Sequence, residues 1–126
     1  MTSRIAAISM VAINPQRVAE FWGAVLGWPI LQSDDTGADI GPADGSGFRL
    51  EIGRVADEKI VKNRIHLDLR ADGTSQDEEV DRLLGLGAKR IDVGQPADAT
   101  WVVLADPEGN EFCLLLRTVQ EAAGRA

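Results

Sequence analysis

Histidine and cysteine are scarce in this chain, and each shortage excludes a class of site. The 126 residues include 1 histidine and 1 cysteine. A lone Cys113 excludes an intrachain disulfide and the zinc motifs built from several thiolates, and a reducing, cytoplasmic location suits it best. A lone His66, with no G-x-S-x-G motif and no glycine-rich phosphate loop, disfavours a serine-nucleophile triad and a phosphate site.

Positive charge and long apolar runs are also missing. The chain has 13 Lys and Arg against 20 Asp and Glu, a formal net charge of -7. Nucleic-acid binding normally needs a clustered basic face, so we expect no nucleic-acid partner. No apolar run is long enough to cross a membrane, and the segment from Ile5 to Ile13 is better explained as a strand than as a signal peptide. A small molecule is therefore the expected partner.

The chain does contain a repeat with a period of 60 residues. Three pairs of segments carry it: Arg4-Ile5 and Arg64-Ile65, Leu26-Gly27 and Leu86-Gly87, Glu51 and Glu111. One module therefore occurs twice. Each half alone would be too small to bury enough apolar surface, so we expect one domain over residues 1–117. Its modules are predicted at 1–53 and 63–117, with a connector at 54–62 and a helical tail at 118–126.

Each module has the pattern of a strand, a helix and three further strands. Asn14-Pro15 predicts the start of the first helix and Gly27 its end, and Ser75 and Gly87 do the same for the second. The later strands are predicted at about Trp28–Gln32, Gly37–Ile40, Gly47–Gly53, Lys89–Val93, Thr100–Ala105 and Asn110–Arg117. Asp106 to Gly109 has the residue preferences of a type I turn.

Alternation along the predicted strands sorts side chains by face. The residues expected on the helix side are Phe48, Leu50, Ile52, Ile65, Leu67, Leu69, Phe112, Leu114 and Leu116. The residues expected on the opposite face are Arg49, Glu51, His66, Asp68, Arg70, Glu111 and Cys113. If a pseudo-two-fold axis relates the modules, Ala6, Glu51, His66 and Glu111 meet in one cup.

These features resemble the vicinal oxygen chelate superfamily, which includes glyoxalase I, bleomycin-resistance proteins and extradiol dioxygenases. The resemblance rests on the paired βαβββ pattern and on FWGAVLGW, NRIHLDL and ADPEGNEFCLL. Within the superfamily, the chain is most similar to the bacterial glyoxalase-like domain. The resemblance implies an α+β fold, in which two βαβββ modules form a curved mixed sheet around a central cup with helices outside. It also implies a homodimer.

The resemblance further implies a site for a divalent metal. Carried over, the superfamily's ligand positions fall on Ala6, Glu51, His66 and Glu111, with Glu111 as the candidate catalytic residue. Alanine offers no lone pair, so three ligands remain, and one histidine with two carboxylates suits zinc, nickel, manganese or ferrous iron. Other residues expected to line the cup are Ile8, Met10, Arg49, Asp68, Trp101 and Cys113.

Structural roles compete with these assignments. His66 could hydrogen-bond Asp68, the two glutamates could pair with Arg49, Arg70 or Arg117, and Cys113 could be a small buried apolar residue. Two functions follow. One is a metal-dependent lyase, isomerase or oxygenase acting on a substrate with adjacent oxygens. The other is a non-catalytic binder that sequesters a small, cationic aromatic ligand. A scaffold with a vestigial cup is a third possibility.

Overall fold

The computed structural model describes residues 1–124, and the chain divides into two compact units, one from Met1 to Glu58 and one beginning at Lys59. The elements of the first unit are β1 (Ala7–Ala12), α1 (Pro15–Leu26), β2 (Ile30–Asp34), β3 (Gly37–Ile40) and β4 (Arg49–Arg54). Those of the second are β5 (Leu67–Leu69), α2 (Gln76–Leu86), β6 (Lys89–Arg90), β7 (Val102–Ala105), β8 (Glu111–Leu114) and α3 (Val119–Ala123). Each unit thus contains one βαβββ module, which confirms the predicted α+β class.

Helix α1 begins and ends where the sequence predicts. The Asn14 side chain accepts a hydrogen bond from the Arg17 N–H at 3.3 Å, and Pro15 occupies the first helical position. Gly27 ends the helix at a φ of 70°, a conformation that costs glycine little. The buried face of α1 packs on β3 and β4, and its buried residues are Pro15, Val18, Ala19, Phe21 and Trp22.

Helix α2 repeats this plan with different capping chemistry. The Ser75 hydroxyl accepts a hydrogen bond from the Glu78 N–H at 3.1 Å, and Gly87 ends the helix at a φ of 117°. The Glu78 carboxylate accepts a hydrogen bond from the Thr74 hydroxyl at 2.6 Å. The apolar side of α2 is buried at Val80 and Leu83. Both helices therefore use a polar side chain at the start and a left-handed glycine at the end.

The two sheets share one topology. The strand order is β1-β4-β3-β2 in the first unit and β5-β8-β7-β6 in the second. In each sheet the first strand of the module lies at an edge and runs parallel to the last: β1 pairs with β4, and β5 pairs with β8. The register of the parallel pair differs, however. Asp68 lies beside Cys113 in the second sheet, whereas Ile8 lies beside Leu50, three residues short of the Gly53 partner that the repeat predicts.

This register changes which side chains share a face in the first sheet. Ile8 and Met10 lie beside the buried Leu50 and Ile52, contrary to the expected alternation, which put them on the face of Glu51. Glu51 instead lies beside Ser9 of β1 and Asp39 of β3. The cause is the shifted pairing, since a displacement by an odd number of residues exchanges the two faces of a strand.

Two residues predicted on the helix side are exposed instead. Ile65 is 83% exposed and Leu116 is 50% exposed. The observed strands are shorter than predicted: β5 begins at Leu67 and β8 ends at Leu114, so both residues lie outside the regular alternation. Solvent exposure does not alternate along β8, because all four of its residues are buried.

The turn before β8 and the helix after it are built as predicted. The Asp106 C=O accepts the Gly109 N–H at 2.9 Å, and the buried Asp106 carboxylate accepts the Glu108 and Asn110 N–H groups. Thr118 caps α3 through a reciprocal box with Glu121. Residues 125 and 126 of the predicted tail lie outside the described residues. Within residues 1–124, the helices are too short and too polar to cross a lipid bilayer.

Candidate functional site

One face of the second sheet gathers most of the predicted site residues. Asp68 of β5, Cys113 of β8 and Val103 of β7 are neighbours in register, so their side chains form one row. Positions two residues away lie on the same side of a strand, which adds Glu111 from β8 and His66 just before β5. Strand pairing thus groups residues that are far apart in sequence.

A cavity of about 470 Å³ lies over this face. Its lining residues are Lys62, His66, Asp68, Val93, Gly94, Gln95, Trp101, Val103, Glu111, Cys113 and Leu115. The volume falls within the range of about 300–1,000 Å³ that is usual for small-molecule sites. Five of the lining residues were predicted from the sequence, namely His66, Asp68, Trp101, Glu111 and Cys113.

Three donor atoms cluster at one side of the cavity. His66 Nδ1 lies 3.6 Å from Asp68 Oδ1 and 3.8 Å from Cys113 Sγ. Donor atoms of the three side chains all lie within 4.8 Å of one another. Burial raises the pKa of the Cys113 thiol because it removes water from the charged thiolate, and the negative charge of the neighbouring Asp68 carboxylate raises it further. The cluster offers nitrogen, oxygen and sulfur donors to a divalent metal.

Glu111 makes a different set of contacts on the same face. Its Oε1 lies 2.5 Å from Lys59 Nζ, and its Oε2 accepts the Asn63 N–H at 3.1 Å. Burial, which leaves the side chain 8% exposed, acts to raise the pKa of this carboxyl, but the hydrogen bonds from Lys59 and Asn63 outweigh it. The pKa of Glu111 therefore lies below its usual range.

The repeat counterpart, Glu51, lies in the first unit in an exposed ion pair. Arg49 Nη2 lies 2.9 Å from Glu51 Oε2. Ala6, Arg49 and Glu51 line a cavity of about 440 Å³ together with loop residues around Gly45 to Phe48. The prediction that Ala6, Glu51, His66 and Glu111 meet at one metal stays a prediction. The pairing of Glu51 with Arg49 matches one of the structural alternatives considered from the sequence.

Sequence reasoning missed several residues of the second-unit site. Lys59 and Asn63 were assigned to the connector and its boundary, where no periodicity indicates a contact. Val103 was within reach of prediction, since it follows Trp101 at strand spacing. Gln95 belongs to an irregular segment in which its Oε1 accepts the Val93 N–H at 2.9 Å. No simple pattern in the sequence signals such a local turn.

Comparison with known proteins places this fold in a family. Residues 7–115 match the family model of a glyoxalase-like domain. No curated protein matches the sequence. The fosfomycin resistance protein FosX of Mesorhizobium loti shares 15% identity and a TM-score of 0.69, over 99% of this chain and 100% of that one.

Two further solved structures share the fold. FosX of Listeria monocytogenes, complexed with Mn(II) and sulfate ion, has 16% identity and a TM-score of 0.68 over 96% of this chain and 95% of its own. TnmS3, an antibiotic binding protein from Streptomyces sp. CB03234, has 16% identity and a TM-score of 0.57 over 93% and 98%. Because the family model matches nearly the whole sequence, the chain belongs to the glyoxalase-like domain family, within the vicinal oxygen chelate superfamily.

Proposed function

We propose that this protein binds a small, partly apolar organic molecule in the cavity of its second unit. The observation that carries the proposal is the composition of the cavity wall. Trp101, Val103 and Leu115 provide apolar surface, and the cluster at Asp68 provides polar groups. Apolar walls with a few polar groups are typical of small-molecule sites, where burial supplies affinity and polar groups fix orientation.

The exposed Asp68 carboxylate gives the cavity one contact for the cationic group of an aromatic ligand, beside the positive charge of Lys62. The carboxylate of Glu111 is neutralised by Lys59, whereas Asp68 is 54% exposed beside His66. A cation can therefore approach the Asp68 carboxylate while a flat ring stacks on Trp101, which is also partly exposed. TnmS3, which shares this fold, is an antibiotic binding protein, and this supports a small organic ligand here.

Calorimetric titration with a panel of cationic aromatic antibiotics tests this proposal. A member of the panel that binds the wild-type protein should bind at least about tenfold more weakly to Trp101→Ala, because truncating an aromatic wall removes most of its burial energy. Trp28→Phe is the matched control, since Trp28 packs edge-on against Phe48 in the first unit. The proposal fails if no compound binds, or if the two variants lose affinity equally.

A second candidate is a metal-dependent enzyme that acts on a substrate with adjacent oxygens. The observation that favours it is the donor cluster of His66, Asp68 and Cys113, which shares His66 with the ligand set that the resemblance implies. A bound divalent metal would act as a Lewis acid on the substrate oxygens. The sequence resemblance would make Glu51, His66 and Glu111 the ligands and Glu111 the catalytic residue. The Mn(II) complex of FosX shows that a relative in fold carries a metal.

Metal analysis tests this second candidate without knowledge of a substrate. Protein purified without chelators should contain a near-stoichiometric divalent ion, and added metal should raise the melting temperature. The variant His66→Ala should lose both effects, because His66 belongs to every ligand set considered. A protein free of metal after such a purification, with no thermal shift on addition, excludes this candidate.

Homodimerisation is also a proposal. Strand β2 forms one edge of the first sheet, and its residues are all exposed. An exposed edge strand can pair with a second chain. Light scattering during gel filtration at several protein concentrations measures the mass directly, and a mass of one chain throughout would contradict the proposal.

A further inference from the structure

The donor cluster at the second-unit cavity has the composition and spacing of a metal centre that differs from the expected one. We propose that the chain binds a divalent transition metal through His66 Nδ1, the Asp68 carboxylate and the Cys113 thiolate. The inference goes beyond the proposed function: the metal would lie in the wall of the same cavity and would compete with a cationic ligand for the Asp68 carboxylate. It differs from the set of Glu51, His66 and Glu111 that the family resemblance implies.

The two distances from His66 to the other donor atoms are close to those around a tetrahedral ion. Bond lengths of about 2.0–2.3 Å to nitrogen, oxygen and sulfur place two tetrahedral ligand atoms about 3.3–3.6 Å apart. His66 Nδ1 lies 3.6 Å from Asp68 Oδ1 and 3.8 Å from Cys113 Sγ. Both separations exceed the tetrahedral values by only a few tenths of an ångström, which side-chain rotation can remove.

The strands hold these donors without a rearrangement of the backbone. Asp68 and Cys113 are direct neighbours in the parallel pairing of β5 and β8, and His66 precedes Asp68 at strand spacing. Cys113 is buried, whereas His66 and Asp68 are exposed enough for an ion to enter. Three protein donors leave a fourth position for water or a ligand, as in open zinc sites.

Glu111 lies on the same face as the three donors, but both of its carboxylate oxygens already have partners. One of its oxygens is bound by the Lys59 ammonium and the other by the Asn63 N–H. A metal at Glu111 would have to displace the part-buried Lys59, which would then lose its counter-ion. Lys59 therefore already supplies the positive charge beside this carboxylate, while the donors at Asp68 and Cys113 face His66.

The mixture of donors indicates which metal would bind. A thiolate, an imidazole and a carboxylate together suit zinc, and they disfavour magnesium, calcium and manganese, which prefer oxygen ligands. The carboxylate-rich set implied by the resemblance would accept manganese or ferrous iron as well. Cobalt(II), which takes the same tetrahedral geometry as zinc, reports a sulfur ligand through a thiolate-to-metal charge-transfer band in the near ultraviolet.

Titration of the full-length, chelator-treated protein with cobalt(II) is the decisive experiment. We expect one equivalent to bind and the charge-transfer band to appear. The chain has 1 cysteine, so a protein thiolate band can come from Cys113 alone. Cys113→Ser should abolish the band and weaken cobalt affinity at least about tenfold, since even outer ligand partners cost 10–100-fold when removed. Zinc should displace the cobalt and bleach the band.

Matched carboxylate variants separate the two ligand sets. Asp68→Asn should weaken cobalt affinity at least about tenfold, whereas Glu111→Gln should keep the band and an affinity within about threefold of the wild type. Asp81→Asn, on the exposed side of α2, is the control for loss of one negative charge. Circular dichroism checks that each variant is folded. If a variant does not fold, the charge-transfer band of the wild-type protein still tests for a sulfur ligand.

The inference is overturned if cobalt binds the wild-type protein without a charge-transfer band, or if no cobalt binds. It is also overturned if Glu111→Gln removes the bound metal while Cys113→Ser does not. Its failure is distinguishable from that of the proposed function. Titration of the chelator-treated protein with the organic ligand measures its binding in the absence of metal. If the organic ligand binds but cobalt gives no charge-transfer band, the metal centre alone is rejected. A cobalt band with no organic ligand rejects the proposed function alone.

Discussion

Among single residues, Glu111 and Glu51 show how far one sequence position can diverge after duplication. Both occupy the corresponding position of their module. Glu51, however, forms an exposed pair with Arg49, whereas Glu111 is buried and pairs with the part-buried Lys59. A surface pair contributes little to stability, about 0–1 kcal/mol, whereas loss of one partner from a buried pair costs several times more. The two glutamates should therefore respond differently to the same substitution.

Glu111→Gln should lower the free energy of unfolding by about 3 kcal/mol at neutral pH, because Lys59 is left without its counter-ion. The matched change Glu51→Gln should cost less than about 1 kcal/mol. Urea denaturation of both variants measures the difference. Equal losses would show that the Lys59 contact does not stabilise the folded state.

The same carboxyl predicts a pH dependence. The pKa of Glu111 is held below its ordinary value of 4.5 in the folded protein. The ionised group therefore stabilises the fold above pH 4.5, and this contribution is lost as the pH falls below 4.5 and through the folded-state pKa. The stability gap between wild type and Glu111→Gln should shrink on acidification, as urea titrations at several pH values would measure. A gap that stays constant or widens contradicts the assignment.

The sequence could predict His66, Asp68, Glu111 and Cys113 as neighbours because strand alternation is local. It could not predict the partner of Glu111. Lys59 reaches the carboxylate through the path of an irregular segment, and such a path depends on backbone angles that no residue pattern specifies. The residues of the site were thus accessible from the sequence, whereas their contacts were not.

At the level of the elements, the helix ends were the most predictable features. A polar cap and a left-handed glycine act over one turn, so Asn14, Gly27, Ser75 and Gly87 all have the predicted roles. Strand ends were less predictable, as Ile65 and Leu116 show, because a strand ends where its partner does. The shifted register of β1 and β4 was harder still to predict from the sequence, since it depends on how two segments pair.

Substituting alanine for each of two glycines in or next to α2 tests whether a left-handed glycine ends this helix. Gly87 has a φ of 117°, so Gly87→Ala should destabilise the protein by about 1 kcal/mol or more. Gly85 lies inside α2, and a methyl group there would meet nothing within 4 Å. Gly85→Ala should therefore stabilise by about 0.5–1 kcal/mol through its higher helix propensity. Thermal denaturation compares the signs: a stabilising Gly87→Ala would contradict the cap, and a destabilising Gly85→Ala would contradict the gain in helix propensity.

For the whole molecule, the repeat predicted the shared topology of the two sheets but not the different registers of their parallel strand pairs. A module of about 60 residues buries only about 60% of its surface and is marginal alone. We therefore expect both units to unfold in one transition. Trp101→Phe leaves Trp22 and Trp28 as reporters of the first unit, and circular dichroism reports on both units. Non-coincident urea transitions would contradict a single cooperative domain.

The contacts of Glu111 with Lys59 and Asn63 constrain how the length of this chain can vary. The residues just before Lys59 are exposed, so additional residues there can be accommodated at the surface. The stretch of Ile60, Val61 and Lys62 cannot vary in length in this way. The residues on either side of it, Lys59 and Asn63, both bind the carboxylate of Glu111. An inserted residue between them would pull one contact away. Loop grafts and tags should therefore be placed ahead of Lys59, and related chains should differ in length there.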